Sequence, residues 1–106
     1  ARVEALQAAT IYATQVPLQT MEVAISGFEL VYEMACKGNP NSVSDAGVGA
    51  LALWSAVQGA FLNVKINASG INDRTIAEDI LAKADKIAAE SDILRDKVLT
   101  QVNTII

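Results

Sequence analysis

The chain has 106 residues, 52% apolar and 19% charged, the balance of one small folded domain rather than a disordered segment. Its net charge of −4 and pI near 4.6 argue against nucleic acid as a partner, because a phosphate-binding surface needs a basic excess to displace counterions. No histidine and a single cysteine, Cys36, exclude a disulfide framework, a Cys/His zinc site and any Ser-His or Cys-His catalytic pair.

Pattern reading predicts helices throughout and no strand. Only 5% of residues are aromatic, so the core has to be built from Ala, Val, Ile and Leu. In residues 1–37, Leu6, Ala9, Ala13, Val16 and Leu18 drift along one face, followed by Met21, Ile25, Phe28, Val31, Tyr32 and Ala35. Pro17 interrupts this segment. A proline removes one backbone hydrogen bond and crowds the carbonyl four residues back, so a kink or break is expected near Gln15–Val16. Cys36, beside Met34 and Ala35, reads as a packing residue. A lone cysteine and a start unlike a signal peptide point to the cytoplasm. The first residue is not Met and already lies in a helical pattern, so a piece of a longer protein is expected.

The stretch GNPNSVSDAG, residues 38–47, is the turn into the second long helix. Gly38 suits a helix C-terminus and Pro40 blocks continuation. Ser42 or Ser44 is suited to cap the next helix, with Asp45 in its first turn facing the positive end of the dipole. That helix should run to about Ser69, with Gly70 ending it. The nineteen residues from Ala46 to Val64 carry no charge, yet eight are Ala or Gly, and Ser55, Gln58 and Asn63 are polar. A central helix covered on all sides by other helices therefore fits better than a membrane span.

On a wheel of about 100° per residue, Asp45, Gly49, Ala52, Ala56, Gly59, Asn63 and Asn67 fall within roughly 40° of one line. The small residues of this stripe predict a close helix contact, while Leu51, Trp54, Val57, Phe61 and Leu62 fill space elsewhere. Asp45 and Asn63 share an azimuth but lie about 27 Å apart at ~1.5 Å per residue, so one helix cannot join them in a small site. A second copy packed antiparallel on the stripe would bring Asp45 of one chain level with Asn63 and Asn67 of the other. The Asn63 and Asn67 amides stack on one face, open between contact with a ligand and structural hydrogen bonds. Lys65 lies on another face and reads either as a contact for an anion or as a solvated cation.

Residues 72–75 open a last long helix, where Thr75 and Glu78 have capping-box spacing. Ile76, Ile80, Ala84, Ile87, Leu94, Val98 and Val102 form its expected buried stripe. Its outer face, from Glu78 to Asp96, mixes both charge signs and reads as solvated.

The motifs N-P-N-S-V-S-D (residues 39–45) and F-L-N-V-K-I-N (residues 61–67), with VPLQTMEVA before them and a charged helix after, resemble the cyclodeaminase/cyclohydrolase family of folate enzymes. The resemblance covers essentially all 106 residues, as the C-terminal part of a family domain whose N-terminal helices are absent from this sequence. It implies an all-α bundle of long antiparallel helices that dimerises. It implies closing or opening of the N5–N10 bridge of tetrahydrofolate, as formiminotetrahydrofolate cyclodeaminase or methenyltetrahydrofolate cyclohydrolase. Such chemistry needs no cofactor beyond the tetrahydrofolate substrate and no metal, only proton transfer by a placed carboxylate or by water.

On this reading Asp45 is the catalytic candidate, with helix-dipole carboxylate as the alternative. Asn41, Ser42, Ser44, Asn63, Asn67 and Lys65 are the substrate-binding candidates. Lys37 and Arg74 are further cations suited to a glutamate tail. Expected partners are a tetrahydrofolate derivative, a second or further copies of the chain, and a missing N-terminal half or a formiminotransferase, with no nucleic acid and no membrane. The competing reading is a catalytically silent dimerising bundle whose polar positions satisfy one another.

Overall fold

The computed structural model describes residues 1–106, and they form helices joined by short turns, with no strand: α1 (Arg2–Ser26), α2 (Phe28–Cys36), α3 (Pro40–Ala68) and α4 (Arg74–Ile105). The molecule is a rod of 59 × 17 × 16 Å. Its contacts run in opposite sequence order on both flanks of α3. Gln7 meets Gly70, Ala13 meets Asn67 and Gly27 meets Leu53, while Gly47 meets Val102 and Gln58 meets Ser91.

Pro17 lies inside α1 without ending it, so of the kink or break expected near Gln15–Val16 the break does not occur. The interruption comes ten residues later, at Gly27, where a side chain would press on Leu53 at 3.1 Å. α2 ends at Cys36 with Lys37 as its C-cap, and Gly38 follows with φ of +83°, the left-handed geometry that its sequence position suggested.

Two caps differ from expectation. Asn39, not Ser42 or Ser44, caps α3: its side chain accepts from the Asn41 N–H at 3.0 Å, and Pro40 takes the first helical position, where a missing N–H costs nothing. Asp45 is thereby moved from the first turn to the second, where the helix dipole is weaker. Asp73, not the Thr75–Glu78 pair, caps α4, accepting from the N–H groups of Thr75 and Ile76 at 3.0 and 3.3 Å. Each true cap is the Asx residue nearest the turn, with a short side chain that reaches back without strain.

Two buried clusters meet at Leu53. One joins Leu18, Met21, Val57, Val64, Ile71 and Ile80; the other joins Phe28, Val43, Ala46, Ala50, Val98 and Val102. Ile80, Ala84, Val98 and Val102 are buried as expected, but Ile76 is exposed because its neighbour Ala77 takes the inward position. Cys36 is exposed, not packed, since it lies about 100° round the helix from buried Ala35, off the inward face of α2. Ala9, Ala13 and Val16 are exposed as well, because the inward face of α1 is Thr14, Leu18, Met21 and Ala24.

α3 is not covered on all sides. It packs through Ala46, Ala50, Val57, Ala60, Val64 and Ala68, leaving Val48, Leu62 and Ile66 each more than 60% exposed. By length and composition alone α3 could cross a membrane, and three helices pack along its inner face. The Gly/Ala stripe does not make the tight contact expected of it: Ala52, Ala56 and Gly59 are exposed, and a Cβ at Gly59 would meet nothing within 4 Å. Gly49 alone comes close to another helix, at Val31.

Candidate functional site in the groove between α1 and α3

One small residue of the stripe that draws no helix against α3, Ala56, borders open space instead. Ala56, Ala60, Asn63 and Asn67 on α3 face Val16, Pro17 and Thr20 on α1 across a groove of ≈ 400 Å³. A second hollow of ≈ 390 Å³ continues it along α1 through Gln19, Val23 and Ala24. Neither is lined by an ionisable side chain. The groove therefore suits a flat, uncharged, hydrogen-bonding group better than an anion, whose desolvation no cation here would offset.

The predicted site residues divide into two sets. Asn63 and Asn67 line the groove. Asn41, Ser42, Ser44 and Asp45 gather in the first turns of α3, at one end of the rod; the Ser44 hydroxyl donates to the Asn41 carbonyl at 3.3 Å, and Asp45 is exposed. The rise along α3 keeps Asp45 about 27 Å from Asn63. Lys65 belongs to neither set: its ammonium lies 4.3 Å from the centroid of the Phe61 ring, on the side of α3 turned away from the groove.

Asn67 is tied into the fold, because its Nδ2 donates to the Ala13 carbonyl at 3.0 Å. Asn63 is exposed at the groove. Arg74 is occupied as well, donating to the carbonyls of Ile71 and Ala68 at 3.2 and 3.5 Å and so satisfying the C-terminal end of α3. Among the sequence candidates for binding an anion, this leaves Lys37 exposed at the turn after α2.

Sequence reasoning missed Pro17, Thr20 and Ala56 as groove residues. The signal was present: a proline in the middle of a long helical pattern, 46 residues before Asn63, marks a backbone carbonyl that another helix can reach. A separate pocket of ≈ 280 Å³ opens beside Gly27, lined by Phe28, Tyr32, Leu94 and Val98 with Glu29, Glu90 and Lys97 at its rim. There the Lys97 ammonium lies 4.1 Å from the Tyr32 ring centroid. No cluster of His, Cys, Asp or Glu is arranged to hold a metal ion.

The sequence pattern of the formiminotransferase-cyclodeaminase family matches residues 1–86. The chain is 36% identical over 104 residues to a methenyltetrahydrofolate cyclohydrolase of Methylorubrum extorquens, covering 98% of this chain and 50% of that protein. It is 32% identical over 95 residues to a formimidoyltransferase-cyclodeaminase of Dictyostelium discoideum, covering 90% of this chain and 18% of that one. The chain thus spans half the length of the first relative and less than a fifth of the second. An all-helical chain matched along most of its length, with both asparagine-bearing motifs inside the matched region, belongs to the formiminotransferase-cyclodeaminase family.

Proposed function

We infer that this chain is part of a folate one-carbon enzyme that closes or opens the N5–N10 bridge of tetrahydrofolate. The observation that carries this reading is the 36% identity, across 98% of the chain, to a protein named for the cyclohydrolase reaction. The uncharged groove bearing Asn63 supports it, since a pterin ring is flat, neutral and rich in donors and acceptors. In the cyclodeaminase direction N10 attacks the formimino carbon on N5 and ammonia leaves; in the hydrolase direction water attacks the methenyl carbon. Asp45 is the proposed acid/base or orienting carboxylate, with Asn41, Ser42 and Ser44 around it and Asn63 as the amide that meets the pterin edge. The chemistry proposed uses no metal and no cofactor beyond the folate substrate.

The distance between the Asp45 turns and the groove makes the second copy part of the proposal. Two rods packed antiparallel through the exposed face of α3 would set Asp45 of one against Asn63 of the other. The working unit in this reading is a dimer or larger assembly of antiparallel bundles, joined by the remaining helices of a cyclohydrolase-length protein or by a formiminotransferase. Its proposed setting is the cytoplasm, without nucleic acid or membrane as partner.

The test is the near-ultraviolet absorbance of methenyltetrahydrofolate. Growth of that signal on adding the protein to formiminotetrahydrofolate is the outcome expected of a cyclodeaminase. Accelerated decay of the methenyl compound alone is the outcome expected of a cyclohydrolase. Silence in both assays would mean that the remaining helices of a cyclohydrolase-length protein are required or that the competing reading holds, a dimerising bundle without catalysis, which the structural use of Asn67 favours.

A further inference from the structure

Pro17 sits in the interior of α1, and what lets the helix pass through it lies on α3. A proline has no N–H, so the carbonyl four residues earlier, that of Ala13, loses its helical partner. Asn67 Nδ2 donates to that carbonyl at 3.0 Å. Because a carbonyl only accepts, the contact also sets which way the Asn67 amide points, nitrogen towards Ala13 and oxygen away from it. Pro17 and Asn67 both line the groove, so the bond ties its two walls together at the level where the pocket opens. Asn63, one turn earlier on the same face, takes no part in any such bond and is exposed at the groove.

We propose that Pro17, the Ala13 carbonyl and Asn67 form a lock between α1 and α3 that makes Asn67 a positioning residue of the groove and leaves Asn63 as the amide that contacts substrate. Pro17 acts in the lock by what it lacks: its missing N–H supplies the acceptor that orients Asn67. The nature of the substrate rests on the folate reading above, whereas the lock does not. Two amides of the same type, four residues apart, thus do different work.

The lock is tested by thermal unfolding of the protein carrying Pro17→Ala, Asn67→Ala or both. Alanine at position 17 restores an N–H to the Ala13 carbonyl, so Asn67 is no longer needed there. Asn67→Ala is expected to lower Tm by about 5 °C with Pro17 present, and by under about 2 °C with Pro17→Ala. Equal losses in the two backgrounds would overturn the lock. If Asn67→Ala alone does not fold, rescue by Pro17→Ala supports the lock and failure of rescue overturns it. Steady-state turnover of methenyltetrahydrofolate then separates the two asparagines. Asn63→Ala is expected to raise KM about tenfold with Tm unchanged. Pro17→Ala is expected to raise KM about threefold, with the change falling on KM rather than kcat, because the Asn67 amide is no longer held in one orientation. A tenfold rise from Asn67→Ala that persists alongside Pro17→Ala would make Asn67 a direct ligand and overturn the assignment. The melting comparison decides the lock whether or not the unaltered protein turns over the folate, so failure of the folate reading and failure of the lock are distinguishable.

Discussion

A few single side chains in this molecule reach the backbone of another segment. Gln7 is an example outside the groove: its Nε2 donates to the Gly70 carbonyl at 3.2 Å and its Oε1 accepts from the Asn72 N–H at 2.8 Å, so one amide on α1 closes the turn between α3 and α4. Gln7→Ala should cost about 1–2 kcal/mol, read as a lower midpoint in urea with an unchanged slope. Asp45 presents the opposite case, exposed and without an ion pair. Asp45→Asn should therefore leave Tm within about 2 °C while lowering kcat/KM for the folate reaction by roughly 100-fold, the scale of a lost acid/base group. Retained activity would remove Asp45 from the chemistry.

At the scale of elements, the turns carry the strictest local demands. Gly38 has φ of +83°, and no heavy atom lies within 4 Å of where its Cβ would be, so only backbone strain opposes a side chain there. Gly38→Ala should destabilise by about 1 kcal/mol, and Gly38→Asn by less, because asparagine tolerates the left-handed region better. Equal losses from the two would mean that φ is not the cause. Helix type and approximate span were legible in the sequence from periodicity and from Gly38. The exact caps were not, because Asn39, Ser42 and Ser44 are all competent N-cap residues within one short segment, and the winner is decided by which turn lets the helix begin at Pro40. Pro17 misled for a related reason. Its cost is a lost hydrogen bond and an unpartnered carbonyl, and the donor that relieves the latter lies 54 residues away in sequence.

For the whole molecule, the rod shape governs what is covered. A radius of gyration of 17.0 Å exceeds the roughly 13 Å of a compact chain of this length, and only 22 of 106 residues are buried. On α3, Val48, Ala52, Ser55, Gly59, Leu62 and Ile66 form an exposed seam at alternating spacings of four and three, the spacing of a coiled-coil contact. The charges of α4 lie elsewhere, as in the Lys83–Asp79 pair and the Asp92–Arg95–Asp96 cluster. Gly59→Glu tests the proposed association through this seam. A side chain there meets nothing in the single chain, so the helical circular dichroism should persist, whereas sedimentation should show a dimer for the unaltered protein and a monomer for the variant. A monomer in both cases would contradict the dimer.

The sequence by itself determined the helical class, the approximate spans of α3 and α4, the turn at Gly38 and the family, because periodicity, a glycine at a helix end and two motifs are local properties of the chain. It also singled out Asn63 and Asn67 as residues sharing one face of α3, since that follows from helix pitch alone. Only the tertiary structure decided that the Gly/Ala stripe is left largely open, with Ala56 bordering a groove, rather than drawn into a tight contact, and that α1 runs unbroken through Pro17. It likewise decided that Asn67 is spent on a backbone carbonyl while Asn63 is exposed. The physical reason is common to all of these: each depends on which face of α3 the other helices cover, and that is settled by long-range packing of α1, α2 and α4 together rather than by any segment read alone.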